Sequence, residues 1–535
     1  MVIFGHFVYF LLLFLPARVS NYVSASFRRR FGTVSARGVL EGALATLRGV
    51  ILDRAELARV LGTEIPPGVK GVRGVTHDSR LVKPGFAFVA IPGFKRDGAH
   101  FALEALRRGA SLVVAEREVP GAPTAVVPDA RDALAALACA VFEDPSGRME
   151  VYGVTGTNGK TTTSYALYSI FAGAYGAKAC GLMTSAETIA AGRRSPAIRT
   201  TPEATEVQRM LAGLLEEGVK RVVMEVSSHG IALGRVAGTR FEGALFTNLT
   251  RDHLDLHGSM EEYYAAKRAL FLWTEGPKLA NAEDEWGRRL FKEVAGVKTF
   301  GGTADADYRV AEVEATRGGT AFALLGPDGV LRLVTPLLGR YNVLNVAGAA
   351  SLALEAGVEG EAVAGAVRDM GQVPGRFERV AGATAFEVIV DYAHTDVGLE
   401  AVLGVARELV EDRGRVICVF GAAGERDGAK RPLMGQVAAR LAHLSVITTD
   451  DAYSEDPAKI AREVAVGADP ARCEIVLDRR EAIRRALLTA REGDVVVVAG
   501  KGHEWVQHLP EGDVSFHDAT VVGELLEELG EREEG

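Results

Sequence analysis

Cysteine is scarce in this 535-residue chain: Cys139, Cys180, Cys418 and Cys473 lie far apart and form no C-x-x-C pair. That pattern excludes a disulfide scaffold and a cysteine zinc site, and it fits buried thiols of a reducing compartment. Net positive charge is lacking as well. Against 61 Lys and Arg stand 70 Asp and Glu, a formal charge of −9. A protein that draws its affinity from neutralising duplex phosphates is not expected, so no nucleic-acid partner is assigned. Small anions stay open as ligands, because glycine loops and helix N-termini bind them locally. The 61 glycines follow no triplet period, which rules out collagen, and no internal repeat is visible. An apolar share of 48% with 24% charged residues excludes disorder. The apolar run from Val2 to Pro16 falls short of the roughly 20 residues that span a bilayer. No positive charge precedes it, as a signal peptide requires, and Arg28-Arg29-Arg30 follows it. Residues 1–45 are therefore read as an apolar and basic leader outside the fold, either dispensable or the product of a start placed too far upstream. A membrane anchor is the alternative, and its basic flank would leave the rest of the chain in the cytoplasm.

What is abundant is alternation. Apolar runs such as Leu112-Val113-Val114-Ala115, Met149-Glu150-Val151-Tyr152, Arg221-Val222-Val223-Met224 and Val495-Val496-Val497-Val498-Ala499 alternate with helical stretches. Near-continuous apolar strands between helices signify α/β units with parallel sheets covered on both faces. At about 150 residues per domain, the length implies three or four units. Turn-rich breaks at Asp144-Pro145-Ser146-Gly147 and Pro374-Gly375 give an N-terminal domain over 46–147, a central one over 148–375 and a C-terminal one over 376–535.

The strongest chemical signal runs from Gly153 through Gly156-Thr157-Asn158-Gly159-Lys160-Thr161-Thr162, after a strand and before a helix expected from Ser164 to Phe171. Glycine amides curl around phosphate oxygens, Lys160 neutralises developing charge, and Thr161 or Thr162 offers a hydroxyl to Mg²⁺. The spacing departs from the strict phosphate-loop pattern, since Val154 stands where a glycine is expected. Glu225 ends an apolar strand, at the edge where doubly wound sheets place ligands, and suits one Mg²⁺. The segment Thr247 to Asp255 adds His253 and carboxylates; alone, His253 reads more readily as a core histidine, and Glu225 with the phosphate loop beside it reverses that reading. Ser259-Met260-Glu261-Glu262 is a capping box opening a helix that carries Lys267, a position where a solvated lysine is the ordinary outcome.

Together these segments resemble the Mur ligase superfamily. The resemblance rests on Gly156 to Thr162, Glu225-Val226-Ser227-Ser228-His229-Gly230, Asn248 to Asp255, Tyr264 to Lys267, Gly339 to Asn345, Pro374-Gly375-Arg376-Phe377-Glu378 and Asp391-Tyr392-Ala393-His394-Thr395. Asp78-Ser79-Arg80, Thr200-Thr201-Pro202-Glu203, Phe420 to Asp427 and Gly500-Lys501-Gly502-His503-Glu504 point to the MurE type, which adds the third peptide residue to UDP-N-acetylmuramoyl-L-alanyl-D-glutamate. The resemblance implies a UDP-substrate-binding α/β domain, a central ATPase-like parallel-sheet domain and a Rossmann-like C-terminal domain. It also implies ATP and Mg²⁺ as cofactors and amide formation through an acyl phosphate. A cytoplasmic monomer active in peptidoglycan synthesis follows from it too. Residue by residue, Lys160, Glu225, His253 and Lys267 become catalytic, with Lys267 carbamylated and joining Thr161, Glu225 and His253 around metal. Asn342 and Asn345 become adenine-side contacts, and Arg376 and Asp391 phosphate and ribose contacts. Because these last two lie in another domain from Lys160, domain closure is expected. Ser79 and Arg80 fall to the uridine side, and Thr200, Thr201, Ser227 and Arg235 to the muramoyl dipeptide. His394 reads as either a contact or a packing residue.

Arg426, Asp450, Asp451, Gly500 and Glu504 match positions that receive the incoming amino acid. Diaminopimelate enzymes carry Asp-Asn-Pro-Arg, where this chain has Asp450-Asp451-Ala452-Tyr453. Losing the arginine fork and gaining a carboxylate favours a distal ammonium, so L-lysine or another diamino acid is expected over meso-diaminopimelate. The alternatives are another ligase of the superfamily, such as the D-alanyl-D-alanine-adding enzyme or a folylpolyglutamate synthase, and a non-catalytic paralogue that binds UDP-muramoyl peptides.

Overall fold

The computed structural model describes residues 50–533 apart from 94–95, 198, 317, 383–384 and 411–413. The leader assigned to residues 1–45 lies outside the described residues. Among them, no helix is long and apolar enough to cross a membrane. The chain divides into two compact units, one running to Pro336 and including Arg340–Met370, the other holding Gly371 onward.

The first unit contains a two-stranded antiparallel pair, Leu52–Asp53 with Gly71–Val72, and two large sheets. The smaller has four parallel strands in sequential order: β1 (Gly74–Thr76), β2 (Phe86–Val89), β3 (Leu112–Ala115) and β4 (Thr124–Val126). Helix α1 (Ala102–Arg107) returns the chain between β2 and β3, and α2 (Ala130–Val141) follows β4. The strands Ala87-Phe88-Val89 and Leu112-Val113-Val114 are wholly buried, because a parallel sheet is covered on both faces.

The larger sheet has eleven strands. Its parallel centre is built from β5 (Glu150–Thr155), β6 (Cys180–Met183), β9 (Arg221–Glu225), β10 (Gly243–Phe246), β11 (Lys278–Asn281) and β12 (Val297–Gly301). Strands β7 (Glu187–Ala190) and β8 (Arg193–Pro196) add an antiparallel margin beside β6. At the other margin stand β13 (Tyr308–Thr316), β14 (Gly319–Gly326) and β15 (Gly329–Thr335). The spatial order β6-β9-β5-β10-β11 puts β5 between strands that leave it in opposite directions. Registers Glu225↔Val154 and Phe246↔Thr155 bring the C-terminal ends of all three strands level. That is the switch point where open α/β sheets bind ligands. Helix α3 (Lys160–Tyr175) opens directly after the glycine loop and is one turn longer at each end than the Ser164–Phe171 span expected. Helices α4 (Ala204–Glu216), α5 (Ser228–Ala232), α6 (Met260–Trp273), α7 (Glu285–Glu293), α8 (Arg340–Glu355) and α9 (Gly360–Arg368) are among the other helices of this unit. Ser259 caps α6 by accepting the Glu262 amide at 3.2 Å, which is half of the capping box its sequence implied; the Ser259 amide donates to His257 O instead of to Glu262.

The second unit is built on a six-stranded sheet ordered β16-β17-β21-β18-β19-β20, with a separate two-stranded antiparallel pair, Val506–Leu509 and Gly512–Ser515. Its strands are β16 (Glu378–Arg379), β17 (Glu387–Asp391), β18 (Val416–Phe420), β19 (Leu444–Ile447), β20 (Cys473–Ile475) and β21 (Val495–Ala499). All pairings but that of β16 are parallel. Its helices include α10 (Asp396–Val410), α11 (Lys430–Leu441), α12 (Pro457–Ala465), α13 (Arg479–Thr489) and α14 (Asp518–Glu533). The run Val495–Ala499 is the buried central strand that its sequence implied. All four cysteines are free thiols, Cys180 and Cys418 buried and the other two half-buried.

Candidate active site

The glycine loop between β5 and α3 takes its shape from backbone that only glycine tolerates. Gly159 sits at φ +82°, and a Cβ there would collide with the side-chain oxygen of Asn345. Gly156, at φ +152°, abuts the Thr247 hydroxyl in the same way. The loop is braced from the end of β10. The Thr157 and Asn158 amides donate to Asn248 O and Oδ1, both at 2.9 Å, and the Thr247 hydroxyl donates to Asn158 O at 2.6 Å. Lys160 Nζ folds back to Thr157 O at 2.8 Å, which keeps its ammonium over the loop. Thr161 and Thr162 open α3, both buried.

Glu225 ends β9 with 2% of its surface exposed. Three donors meet on its Oε2: the Thr161 hydroxyl at 3.1 Å, the Ser185 amide at 3.0 Å and the Ser185 hydroxyl at 3.2 Å. Its Oε1 has no protein donor among the described residues. Sequence reasoning missed Ser185. Its place follows from β6 lying parallel beside β9, a neighbour relation that no local motif encodes.

Lys267, on α6, is not the solvated lysine its helix position suggested. It is 1% exposed, donates to Gly156 O at 2.7 Å and lies 4.7 Å from the centre of the Tyr263 ring. Burial and then the charge of Lys160 push its ammonium well below the ordinary lysine range. Tyr263, also missed from sequence, ties α6 to the loop through Thr157 Oγ1 at 3.1 Å. His253 stands at φ +53° with 44% of its side chain exposed. Its ring meets His229 edge-on at 4.6 Å and its Nε2 lies 3.4 Å from Asp252. Burial first, with Asp252 opposing and His229, Lys160 and Lys267 adding to it, lowers its pKa to about 4, so the ring is neutral near pH 7.

Next to Glu225 lies a polar cluster. Thr201 is buried and donates to Glu225 O at 3.1 Å. It accepts from the Ser227 amide and hydroxyl, each at 3.0 Å. Ser227 in turn caps α5 by accepting from Gly230 N at 3.0 Å. Arg235 reaches Thr201 O at 3.3 Å and pairs with Glu203 at 2.9 Å, leaving a buried Nε without a partner. Thr200 is half-buried beside this cluster. Asn342 and Asn345 on α8 are buried and bonded to each other at 3.3 Å, and Asn345 rests against the glycine loop. Ser79 and Arg80 share no hydrogen bond with these groups. Asp78 rather than Ser79 caps their turn, and it holds the exposed Arg80 guanidinium at 2.7 Å.

The second unit has its own cluster. Asp391 accepts from the amides of Phe377 at 2.7 Å and Ala393 at 2.8 Å, and burial raises its pKa against the charge of Arg376. Arg376 lies 4.5 Å over the Tyr392 ring, and His394 Nδ1 bonds to Tyr392 O at 2.8 Å. Gly500, at φ +116°, faces the buried Asp450 so closely that a Cβ would strike its carboxylate. The Asp451 carboxylate is paired internally through Oδ1, which accepts from Lys501 Nζ at 2.8 Å and His508 N at 2.9 Å. Tyr453 stacks on His508 at 5.2 Å, with the Arg426 guanidinium 5.8 Å from its ring centre. Glu504 accepts from Tyr392 and Lys501.

Three family models match the chain: the Mur ligase family catalytic domain over residues 71–141, the Mur ligase middle domain over 154–353 and the Mur ligase glutamate ligase domain over 375–502. A Solibacter usitatus protein named UDP-N-acetylmuramoyl-L-alanyl-D-glutamate--2,6-diaminopimelate ligase is 43% identical over 492 residues, 90% of this chain and 98% of the relative. A protein of the same name from Geobacillus thermodenitrificans is 42% identical over 84% of this chain and 94% of its own. A solved structure of an enzyme of that name superposes with a TM-score of 0.64 at 30% identity, covering 90% of this chain and 99% of that one. The fold is shared at a TM-score of 0.63 with MurF of Acinetobacter baumannii, at 19% identity. These names conflict with the lysine preference read from Asp451 and Tyr453, and the structure gives the physical reason for correcting it. The Asp451 carboxylate on which that preference rested is paired with Lys501.

Proposed function

This chain belongs to the Mur ligase family, whose members are ATP-dependent acid–amino-acid ligases of peptidoglycan synthesis, and on that premise we propose that it adds 2,6-diaminopimelate to UDP-N-acetylmuramoyl-L-alanyl-D-glutamate. The observation that carries the ligase chemistry is the meeting of Lys160, Thr161, Glu225 and Lys267 at one sheet edge. The choice of amino acid draws on the names of the relatives and on the internal neutralisation of Asp451. In this reading the N-terminal domain (46–147) receives the uridine end through Ser79 and Arg80, and the central domain (148–375) holds ATP. The C-terminal domain (376–535) presents the amino acid through Arg426, Asp450, Gly500 and Glu504, and the protein works as a cytoplasmic monomer.

The residues fit magnesium. Glu225 Oε1 is open, the Thr161 hydroxyl lies against the same carboxylate, and both are hard oxygen donors. Among the described residues no group of three or more His, Cys, Asp or Glu forms a metal cluster. Glu225, Thr161, His253 and a carbamylated Lys267 would therefore hold the ions together with phosphate oxygens and water. Bound there, magnesium neutralises phosphate charge. Burial supplies the condition for the carbamate, since a lysine held toward its neutral amine is the form that adds carbon dioxide.

The remaining steps belong to the chain. Loop amides and Lys160 fix the γ-phosphoryl group and stabilise its charge in flight, which is most of what phosphoryl transfer asks of a protein. Thr201, Ser227 and Arg235 orient the substrate's terminal carboxylate beside Glu225, so that one of its oxygens attacks the phosphorus and ADP leaves. The amino group presented by the C-terminal domain then attacks the carbonyl carbon of the acyl phosphate, loses a proton and expels phosphate. Purified protein given UDP-muramoyl dipeptide, ATP, magnesium and a panel of diaminopimelate, lysine and ornithine should release phosphate fastest with diaminopimelate. Faster turnover with lysine would return the ammonium reading of the amino-acid site.

A further inference from the structure

Lys501 is the most unusual charged group of the second unit: a lysine with no exposed surface, on the loop that follows the central strand β21. A buried ammonium requires compensation, and three carboxylates supply it. Nζ donates to Asp451 Oδ1 and to Glu504 Oε2, both at 2.8 Å, and the charge of buried Asp450 acts on it as well. Arg479, the other buried cation nearby, is occupied by a two-pronged pair with Asp518 in which neither side chain is exposed. The other oxygen of Glu504, Oε1, accepts the Tyr392 hydroxyl at 3.0 Å. The Tyr392 ring is itself clamped by Arg376 at 4.5 Å, His394 at 4.7 Å and His503 at 4.8 Å. Glu504 is thus gripped on both oxygens by rigid donors, while 32% of its side chain still reaches solvent.

A carboxylate can accept about four hydrogen bonds. With one protein donor on each oxygen, Glu504 keeps acceptor capacity in a fixed direction, on its accessible side. An amino group is a donor that can fill that direction. We propose that Lys501 and Tyr392 are positioning residues that hold Glu504 oriented for the amino group of the incoming amino acid. The inference rests on the ligase reading above and adds to it the pair of residues that set the geometry of its amino-acid site.

Steady-state kinetics of the full chain with Tyr392→Phe and Lys501→Met test this. Loss of one hydrogen bond to a charged group should raise KM for diaminopimelate about tenfold or more in each variant. The KM values for ATP and UDP-muramoyl dipeptide should stay within about twofold of the parent, because Tyr392→Phe keeps the ring that Arg376 lies over and neither variant touches the glycine loop. A loosened domain would raise all three together, and that result overturns the proposal, as does an unchanged diaminopimelate KM in Tyr392→Phe. Thermal melting identifies a Lys501→Met protein that does not fold, in which case Tyr392→Phe decides alone. If the parent protein itself shows no amino-acid-dependent release of ADP, the ligase reading falls and this inference with it. If the parent is active and the KM values do not separate, only the inference falls.

Discussion

At the scale of single residues, the site works by placing charge where water cannot screen it. Glu225 is buried, and the three donors on its Oε2 hold it as a preset acceptor beside the first turn of α3. Replacing it with glutamine preserves its shape and removes its charge. Glu225→Gln should lower kcat by about 100-fold or more, the scale on which preorganised charge acts in such sites. The magnesium concentration giving half-maximal rate should rise with it. An unaltered magnesium requirement, measured by titrating the metal against ADP release, would take Glu225 out of the metal site. Lys267 and Lys501 show the two fates of a buried lysine. Lys267 has a carbonyl and an aromatic face as neighbours and is driven toward its neutral form; Lys501 has three carboxylates and keeps its proton.

At the scale of elements, the glycine loop depends on a backbone that a side chain would break. Gly159→Ala adds a Cβ in a left-handed conformation and drives it into Asn345, a strain of roughly 1–2 kcal/mol before any clash. ATP should bind at least about tenfold more weakly, as measured by calorimetry, while the melting temperature moves little; unchanged affinity would mean that the loop does not cradle the nucleotide. In the second unit, Asp494 joins the loop before β21 to β18. Its carboxylate accepts the Arg415 amide at 2.7 Å, the Arg491 amide at 2.9 Å and the Arg415 guanidinium at 2.6 Å. Burial pushes its pKa up, but these bonds outweigh it and hold the group below the 3.8 of a free aspartate. The unfolded chain therefore takes up this proton first on acidification. The stability it contributes is complete above about pH 4 and disappears as pH falls through the lower folded value. Asp494→Asn should flatten the acid limb of the urea-unfolding stability profile. A parallel acid limb in the variant would show that Asp494 is not a contributor.

At the scale of the whole molecule, the legible parts were those written in continuous sequence. The phosphate loop, the strand that delivers Glu225 and the capped helix that delivers Lys267 each lie within one short segment, where local spacing decides conformation. The alternating apolar runs likewise announced parallel sheets. What stayed hidden was set by strand order and by charge pairing across long separations. Ser185 reaches Glu225 only because β6 neighbours β9, and Tyr392 reaches Glu504 only because β17 neighbours β21. The lysine preference, with which the relatives' names conflict, overlooked a pairing of the same kind. Asp451 was read as facing the ligand, and its partner Lys501 lies 50 positions away. The buried Arg479–Asp518 pair, equally silent in sequence, anchors α13 to α14. Asp518→Asn should cost about 3–5 kcal/mol in chemical unfolding, because it strands a buried guanidinium; a loss below about 1 kcal/mol would contradict that role. The central claim is that one chain couples ATP cleavage to amide formation. It is tested most directly by counting both products in a single reaction with UDP-muramoyl dipeptide and diaminopimelate. One ADP for each UDP-muramoyl tripeptide, with no ADP when the dipeptide is withheld and no more than one equivalent per enzyme when diaminopimelate is withheld, is the expected result; sustained ADP release without tripeptide, or neither product, would contradict it.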